Sequence, residues 1–277
     1  MPKFLKFLTK IIVNPKVKGF LEKINLYYYL KNGYRSFIIL LGKRGLRLKV
    51  QDTRARMIVS NPNEFSIYQS LDGEKVFLQK FLNRINNKTV FYDIGANIGM
   101  YSLCAAKYKV SPKFIYCWEP EPFNFKRLKE NIDLNDIKNI TAFPIALGSK
   151  NAVLELWTNA KEPGSLTPNF TRKSSKSIPV QVARGDDWVL KKKLHLPSII
   201  KIDVEGYEFN VLKSFEKTIS KSKPIIFLEI HPFFLKNLGI KKEQVLNFLY
   251  GLNYTTTFSS LRENQEHYIL ESLDKES

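Results

Sequence analysis

The stretch from Val90 to Tyr101, VFYDIGANIGMY, most strongly limits what this chain can fold into. It begins with a short run of aromatic and β-branched residues, and apolar residues recur at helical spacing after Gly99. Gly95 and Gly99 allow the turn between these parts to adopt backbone conformations closed to other residues, so that backbone N–H groups can approach a ligand. The stretch therefore predicts a strand, a tight ligand-binding turn and a helix.

Two acidic residues end successive predicted strands in this region. Asp93 ends the first strand, where its carboxylate can accept hydrogen bonds from a cationic amine, and Glu119 ends the next, FIYCWEPE. The 26 residues that separate them suit one strand–helix–strand unit. Open α/β sheets bind ligands at the carboxyl ends of their strands, and an acid at the second strand end can bind ribose hydroxyls. The spacing D-x-G-x-N-x-G nevertheless differs from the G-x-G-x-x-G of dinucleotide folds.

Strand and helix patterns alternate along the chain from residue 73 onward. Strands are predicted at 90–94, 114–118, 140–145, 198–203, 224–232, 253–258 and 266–271, and helices at 73–86, 99–108, 122–132, 208–216 and 241–250. This order predicts an α/β fold that is doubly wound and Rossmann-like, with a mostly parallel seven-stranded sheet covered by helices. Residues 151–182 instead alternate like paired strands and predict an inserted β-hairpin that borders the mouth of the site. Asp186 is the predicted N-cap of a short helix.

The length of 277 residues and the apolar content of 44% allow one large domain and an N-terminal appendage. We place a basic appendage of helices and short strands at residues 1–60, and the α/β domain at residues 61–277. The two cysteines, Cys104 and Cys117, provide neither a disulfide framework nor a metal-ligand spacing. Both are predicted to be core residues in a reducing compartment, which favours a cytoplasmic protein.

The net charge of +18 is spread unevenly along the chain. Residues 1–50 contain twelve Lys or Arg and a single acid, Glu22. A basic arm of this kind indicates an anionic partner, whether membrane lipid, a polyanionic glycan or nucleic acid. A composition biased toward Lys and Asn, combined with a solvated face, is the alternative interpretation.

The segment KFLKFLTKIIV at residues 3–13 has the pattern of a basic amphipathic helix. It is too short to span a bilayer and has no small-residue cleavage site. The apolar parts of residues 20–41 are interrupted by Lys31, Gly33 and Arg35, so no transmembrane helix is predicted there either. Peripheral contact of residues 1–40 with an anionic membrane surface is the hypothesis that follows.

Six segments together resemble the FkbM-type S-adenosylmethionine (AdoMet) dependent methyltransferases, a class I methyltransferase family. They are FYDIGANIG, YCWEPEPFNFKRLKENIDLN, AFPIALG, the G-S-L loop at 164–166, KIDVEGYEFNVLKS and IIFLEIHP. They follow the family's order over roughly residues 70–235 and do not cover the first sixty. One departure is Arg184-Gly185, where the family more often has Thr-Leu before the two acids.

The resemblance implies AdoMet as cofactor and a role for each matching residue. The residues implied to line its methionine end are Asp93, Gly95, Asn97 and Gly99. Glu119 is implied to bind the ribose, and Ala146, in the segment Ala146-Leu147-Gly148, to border the adenine. Asp203 and Glu205 are implied to lie beside the transferred methyl group and the acceptor. An acid near Glu74 approaches the methionine end in this family, although the dipole of a helix that begins near Gly73 accounts for a first-turn acid equally well.

A hydroxyl acceptor requires a general base or a metal ion, since it is a weak nucleophile at neutral pH. Asp203 and Glu205 are two residues apart, as are Glu229 and His231, so each pair shares a strand face if the strand continues that far. The preferred base is His231, oriented by Asp203. Alternatively, Asp203, Glu229 and His231 bind Mg²⁺ or Mn²⁺. His231 as a strand cap before Pro232, and Glu205 as a first-turn acid, are further interpretations.

The resemblance predicts an O-methyltransferase for a hydroxyl of a sugar, a glycolipid or another secondary metabolite. One alternative is a nucleic-acid methyltransferase, which the positive charge keeps open. Base N-methyltransferases commonly carry Asn or Asp, two prolines and an aromatic residue after the fourth strand, whereas this chain has DVEG, residues 203–206. Another alternative is a non-catalytic AdoMet-binding protein at a membrane, which has no need of four acids at strand ends. The sequence leaves the oligomeric state open.

Overall fold

The computed structural model describes residues 22–23, 27–158, 168–171, 173–174, 176–262 and 264–274. The predicted amphipathic helix at 3–13 and the G-S-L loop at 164–166 lie outside these ranges. The helices are α1 Tyr27–Gly42, α2 Pro62–Leu82, α3 Met100–Ala106, α4 Pro122–Leu134, α5 Gly185–Lys192, α6 Glu208–Ser214, α7 Glu216–Ser222, α8 Pro232–Lys236 and α9 Lys242–Gly251. The strands are β1 Leu46–Arg47, β2 Arg56–Met57, β3 Val90–Ile94, β4 Phe114–Trp118, β5 Ile140–Phe143, β6 Ala146–Leu147, β7 Ala152–Thr158, β8 Lys176–Ala183, β9 Ile199–Ile202, β10 Ile225–Ile230, β11 Tyr254–Arg262 and β12 Gln265–Ser272.

The predicted seven-stranded sheet is confirmed, with the strand order β11-β12-β10-β9-β3-β4-β5. The five strands from β10 to β5 are parallel, and β12 pairs antiparallel with both β10 and β11. From β3 the chain builds outward through β4 and β5, then returns to add β9 on the other side of β3. This reversal creates a topological switch point between β3 and β9, which is where open α/β sheets bind ligands.

The core lies on both faces of the sheet, as the continuous apolar strands predict. Every residue of β3 is buried, and successive side chains of a strand point to opposite faces. Phe91 packs on Phe81 of α2 with ring centroids 4.6 Å apart, whereas Tyr92 packs on Trp118 on the other face at 5.0 Å. Cys104 and Cys117 are both buried free thiols. Strand β3, which leads into the predicted ligand-binding turn, is therefore packed on both faces.

The described part of residues 1–60 packs against the α/β domain. Helix α1 contacts α2, and β1 pairs antiparallel with β2. Leu48, Val50 and Met57 are fully buried in the same core cluster as Phe81. The division of the chain at residue 60 stays a prediction. No helix in the described ranges is both long enough and apolar enough to cross a membrane.

Helix α2 begins eleven residues earlier than predicted, at Pro62 instead of Gly73. The side chain of Asn61 caps it by accepting a hydrogen bond from the Glu64 backbone N–H, and Pro62 occupies the first turn, where proline is tolerated. The prediction stopped at Gly73 because glycine disfavours helix interiors. Glu64 is therefore the first-turn acid, and the helix-dipole interpretation of Glu74 is wrong.

Asp186 was predicted to be the N-cap of α5, and this prediction is wrong. Arg184 occupies the N-cap position of α5, and the carboxylate of Asp186 instead accepts hydrogen bonds from the backbone N–H groups of Lys217 (3.1 Å) and Thr218 (2.9 Å). It thus satisfies the first turn of α7, a different helix. Only the three-dimensional fold brings this acid to that helix.

The inserted β-hairpin predicted within residues 151–182 is confirmed as the antiparallel pair β7 and β8. The third predicted strand is shorter than expected, because the chain leaves the main sheet after Phe143. Residues 146–147 form β6, which pairs with β8 in a separate three-stranded sheet. This small sheet stands beside the carboxyl edge of the main one.

Candidate active site

The loops that follow β3 and β9 meet at the switch point. Gly95 has φ +79°, and a Cβ atom added there would lie 1.8 Å from the backbone oxygen of Asp203. Only glycine fits this conformation and this close contact. The residue therefore holds the two candidate loops together.

Glu119 is held in one orientation by backbone groups. It is 3% exposed, and its Oε2 accepts a hydrogen bond from the Asn97 N–H (2.8 Å) while its Oε1 accepts one from the Glu121 N–H (2.9 Å). Asn97 has a left-handed backbone with φ +51°, a strained conformation often found at functional sites. Burial raises the pKa of Glu119 to about 8, against the lowering effect of the two N–H donors.

A cleft with an empty volume of about 590 Å³ opens beside Glu119. Most of its wall is apolar, and the polar lining is concentrated at Asn97, Glu119, Asp203 and Glu205. The apolar lining consists of Ile94, Trp118, Pro120, Ile145, Ala146, Leu147, Leu156, Pro168, Phe170, Val204 and Tyr207. Leu156 lies on β7, so the inserted hairpin borders the mouth as predicted. We call this space the nucleoside cleft because an apolar slot beside a fixed carboxylate suits a base and its ribose.

Asp93 is fully buried and does not line the nucleoside cleft. Its Oδ2 accepts a hydrogen bond from Ser102 Oγ at 2.5 Å, and its Oδ1 lies 3.9 Å from Nζ of Lys201. Burial raises the pKa of Asp93 and outweighs the lowering effect of the lysine. Gly99, with φ +97°, is the N-cap of α3. Asp93 and Gly99 therefore support the loop that follows β3 without lining the nucleoside cleft.

Lys201 was missed by the sequence reasoning. Its Nζ lies 3.1 Å from Asp203 Oδ2 and 4.8 Å from the centroid of the Tyr101 ring. Burial alone would lower the pKa of this lysine, but the nearby carboxylates of Asp203 and Asp93 outweigh it and raise the pKa. The available signal was one lysine within the otherwise apolar strand SIIKI.

His231 is 2% exposed and lies among four carboxylates. Its Nδ1 lies 2.8 Å from Oε1 of Glu208, and its Nε2 lies 3.4 Å from Glu205 Oε2, 3.8 Å from Glu229 Oε1 and 3.9 Å from Asp203 Oδ1. The last distance is too long for a hydrogen bond. Burial would lower the pKa of His231, but the Glu208 hydrogen bond and the surrounding carboxylates raise it to about 10.

The carboxylates around His231 differ in their proton affinity. Burial raises the pKa of Glu205 to about 8, despite the positive charge of His231. For Asp203 burial acts in the same direction, but Lys201 and His231 outweigh it and lower the pKa below its ordinary value. Glu208, which the sequence reasoning also missed, is fully buried at the start of α6. Its only sequence signal was an acid three residues after Glu205.

A second, more open cleft continues from the same loops. We call it the acceptor cleft because the sequence predicts an acceptor beside Asp203 and Glu205, which line it. Its charged lining is Glu74, Lys201, Asp203, Glu205, Glu229 and Arg262. Glu74 Oε1 accepts hydrogen bonds from Arg262 Nη1 (2.9 Å) and Ser70 Oγ (3.1 Å), and burial raises its pKa. Acids outnumber bases in this lining, four to two. The two clefts share Gly95, Asn97, Asp203 and Glu205.

The structure thus brings most of the candidate residues to one edge of the sheet. Gly95, Asn97, Glu119 and Ala146 line the nucleoside cleft, and Glu74 and Glu229 line the acceptor cleft. His231 lies behind Asp203 and Glu205. The part that each residue plays in catalysis or cofactor binding stays a prediction.

The chain belongs to the FkbM methyltransferase family, since the family model for the methyltransferase FkbM domain matches residues 93–256, more than half of its length. Methyltransferase is therefore its class.

Two curated relatives have names that state an activity. The hexuronic acid methyltransferase AglP of Haloferax volcanii is 27% identical over 224 residues, which cover 80% of this chain and 86% of the relative. The 2-O-methyltransferase NoeI of Sinorhizobium fredii is 27% identical over 150 residues, which cover 48% of this chain and 60% of the relative.

Among solved structures, the chain is similar to methyltransferase FkbM from Methylobacillus flagellatus, with a TM-score of 0.48 and 16% identity. The match covers 87% of this chain and 59% of that one, so the chain spans about three fifths of that structure.

Proposed function

We propose that this protein transfers a methyl group from AdoMet to a hydroxyl oxygen of a sugar. The observation that carries the proposal is the pair of backbone N–H donors that hold the Glu119 carboxylate at the wall of an apolar slot. That slot opens, through lining shared at Gly95, Asn97, Asp203 and Glu205, into a polar cleft with room for a second substrate.

The residues present fit AdoMet. With one lone pair on each Glu119 oxygen engaged by a backbone N–H, further lone pairs remain to accept bonds from two ribose hydroxyls. Ala146 and its apolar neighbours suit an adenine ring, and the left-handed turn at Gly95 and Asn97 leaves backbone close to the cleft. When bound, AdoMet supplies a methyl carbon activated by a sulfonium leaving group.

The protein's own groups orient the acceptor and receive its proton. Asp203 lines both clefts, so its carboxylate is placed to bind an acceptor hydroxyl next to the cofactor. As oxygen gains the methyl group, the hydroxyl proton must leave. His231 holds a proton at neutral pH, because its pKa is about 10. A carboxylate of the cluster therefore receives the proton, and His231 acts as a positioning residue.

The relatives favour a sugar hydroxyl as the acceptor. One is a hexuronic acid methyltransferase and another a 2-O-methyltransferase, by name. Together they support transfer to oxygen on a carbohydrate. Contact of residues 1–40 with an anionic membrane stays a prediction.

The test is a transfer assay with the full chain, AdoMet and a panel of glycosides that includes neutral sugars, amino sugars and hexuronic acids. We expect S-adenosylhomocysteine (SAH) and a sugar methyl ether in equal amounts, with the ether oxygen assigned by NMR. Methylation of RNA or protein, with every glycoside left unchanged, would contradict the proposal.

A further inference from the structure

We infer that Asp203, Glu205 and His231 form a binding site for one divalent cation, with Mn²⁺ the best-fitting ion. The existence of this site does not depend on the proposed function, whereas its role in activating the acceptor rests on that function.

The three side chains are close enough to share an ion. One ligand atom from each lies within 4.8 Å of the other two. Around an octahedral ion with bonds of about 2.1 Å, neighbouring ligand atoms lie about 3.0 Å apart and opposite ones about 4.2 Å. The Nε2 atom of His231 lies 3.4 Å from Glu205 Oε2 and 3.9 Å from Asp203 Oδ1. The carboxylates would need to move by less than about 1 Å to complete the coordination.

Two of the buried polar atoms that face this point have no hydrogen-bond partner among the described residues. They are Nε2 of His231 and Oε2 of Glu205, each with almost no exposed surface. Buried polar atoms without partners are rare in folded proteins and require an explanation. In the metal-free protein these two atoms form an ion pair 3.4 Å apart, with the proton on His231. A cation that replaced this proton would accept a lone pair from each atom at once. It would also offset the negative charge of carboxylates packed closely in a buried cluster.

The residue behind His231 has the arrangement typical of a metal-binding histidine. Nδ1 of His231 is 2.8 Å from Glu208 Oε1, which also accepts a hydrogen bond from the Gly206 N–H at 2.9 Å. A carboxylate bonded to the Nδ1–H fixes the imidazole tautomer that presents the Nε2 lone pair to a metal. Glu205 has a left-handed backbone with φ +49°, a strained conformation of the kind found at ligand-binding positions.

The donor set favours Mn²⁺. Two carboxylates and one imidazole combine oxygen donors, which suit Mg²⁺ and Mn²⁺, with a nitrogen donor, which suits transition metals. Asp203 keeps 28% of its side chain exposed and lines both clefts, so the ion would be open to an acceptor hydroxyl. Coordination would lower the pKa of that hydroxyl. Glu229, outside the ligand set, would then receive its proton.

The test measures Mn²⁺ binding to the full chain by electron paramagnetic resonance after dialysis against EDTA. We expect one Mn²⁺ per chain. Glu205→Gln and His231→Gln should abolish that binding, and Glu208→Gln should weaken it about 10–100-fold. Glu155→Gln, an exposed position on β7, should bind as the wild type does. Circular dichroism checks that each variant folds. If His231→Gln does not fold, Glu205→Gln still tests the site.

Absence of Mn²⁺ binding by folded wild-type protein would overturn the inference, as would equal binding by Glu205→Gln and Glu155→Gln. SAH calorimetry in EDTA separates this outcome from failure of the proposed function. SAH binding and metal-independent transfer would keep the function and remove the cation. Mn²⁺ binding without SAH binding would keep the cation site and contradict the proposed function.

Discussion

Two acidic positions near the meeting point of the clefts, Glu119 and the carboxylates around His231, differ in what satisfies their oxygens. In the nucleoside cleft, both oxygens of Glu119 accept backbone hydrogen bonds, and apolar side chains form most of the wall. Around His231, four carboxylates surround one imidazole, and three buried atoms of this cluster lack a hydrogen-bond partner within the described residues: His231 Nε2, Glu205 Oε2 and Glu208 Oε2. Backbone groups thus fix the Glu119 carboxylate, whereas the polar atoms around His231 depend on contacts with one another, where we have proposed a cation.

The balance of acidic and basic residues in the acceptor cleft also differs from that of the chain. The whole sequence carries a net charge of +18, yet four acids and two bases form the charged lining of this cleft. Both bases are paired with acids, Lys201 with Asp203 and Arg262 with Glu74. A chain rich in lysine has therefore concentrated acidic residues at the cleft where we propose that the acceptor binds. The following variants test the separate roles proposed for residues of the two clefts.

The largest effect is expected from Asp203→Asn, which removes negative charge from the acceptor side. Methyl transfer should fall by about 10²–10⁴-fold, the usual contribution of a positioned acid or base. SAH affinity should stay within about threefold, since Glu119 and its backbone donors are unchanged. Initial rates and calorimetry on the same preparation measure the two quantities. Asp187→Asn, an exposed position on α5, is the matched control. If both variants transfer methyl equally well, the role assigned to Asp203 is wrong.

Glu119→Gln should act on the nucleoside side instead. At pH 9, where Glu119 is ionised, the loss of a charged hydrogen-bond acceptor costs about 1.5–3 kcal/mol, which corresponds to roughly 10–150-fold weaker SAH binding. Transfer at saturating AdoMet should recover toward the wild-type rate, because the acceptor side is unchanged. Calorimetry and rate measurements against AdoMet concentration test this. Glu243→Gln, exposed on α9, serves as the control, and an unchanged SAH affinity for Glu119→Gln would refute the ribose assignment.

The contact between the two loops can be tested at Gly95. Gly95→Ala introduces left-handed strain of about 1–2 kcal/mol and a clash with Asp203, which adds about 1–3 kcal/mol of overpacking. Gly239 has a similar φ of +68° but open space around its Cβ position, so Gly239→Ala should show the strain alone. Urea unfolding of both variants measures the difference in the free energy of unfolding. If both variants lose the same free energy of unfolding, the two loops do not depend on the contact between Gly95 and Asp203.

The smallest effect concerns pH. The pKa of Glu119 in the folded protein is about 8, above its ordinary value of 4.5, so the fold favours the protonated form. Its contribution to stability is full below pH 4.5 and declines as the pH rises toward 8. Ribose hydroxyls favour the ionised form, so SAH affinity should rise through this range by less than about tenfold per pH unit. An SAH affinity that does not change with pH in the wild type, or that changes equally with pH in Glu119→Gln, would contradict this.

Local pattern was sufficient to predict the sheet, the hairpin and the residues at strand ends. The strand at Val90–Ile94 and the turn at Gly95 follow from residue types that are adjacent in sequence. Contacts between distant segments were not predictable in the same way. The pairing of Asp186 with Thr218 and that of His231 with Glu208 depend on helix packing.

Lys201 illustrates the same limit within a strand. Its position among apolar residues gave no indication that its charge lies between two carboxylates. Those carboxylates end different strands, so only the strand order brings them to one lysine. Glu74 was assigned to the wrong helical position because Gly73 interrupts a helix that tertiary packing maintains.

A crystal structure with SAH bound tests the central claim most directly. The account predicts that both ribose hydroxyls bind Glu119, that adenine lies beside Ala146, and that the sulfur faces Asp203 across the turn at Gly95. SAH bound with its ribose away from Glu119, or with its sulfur directed away from the acceptor cleft, would contradict the account.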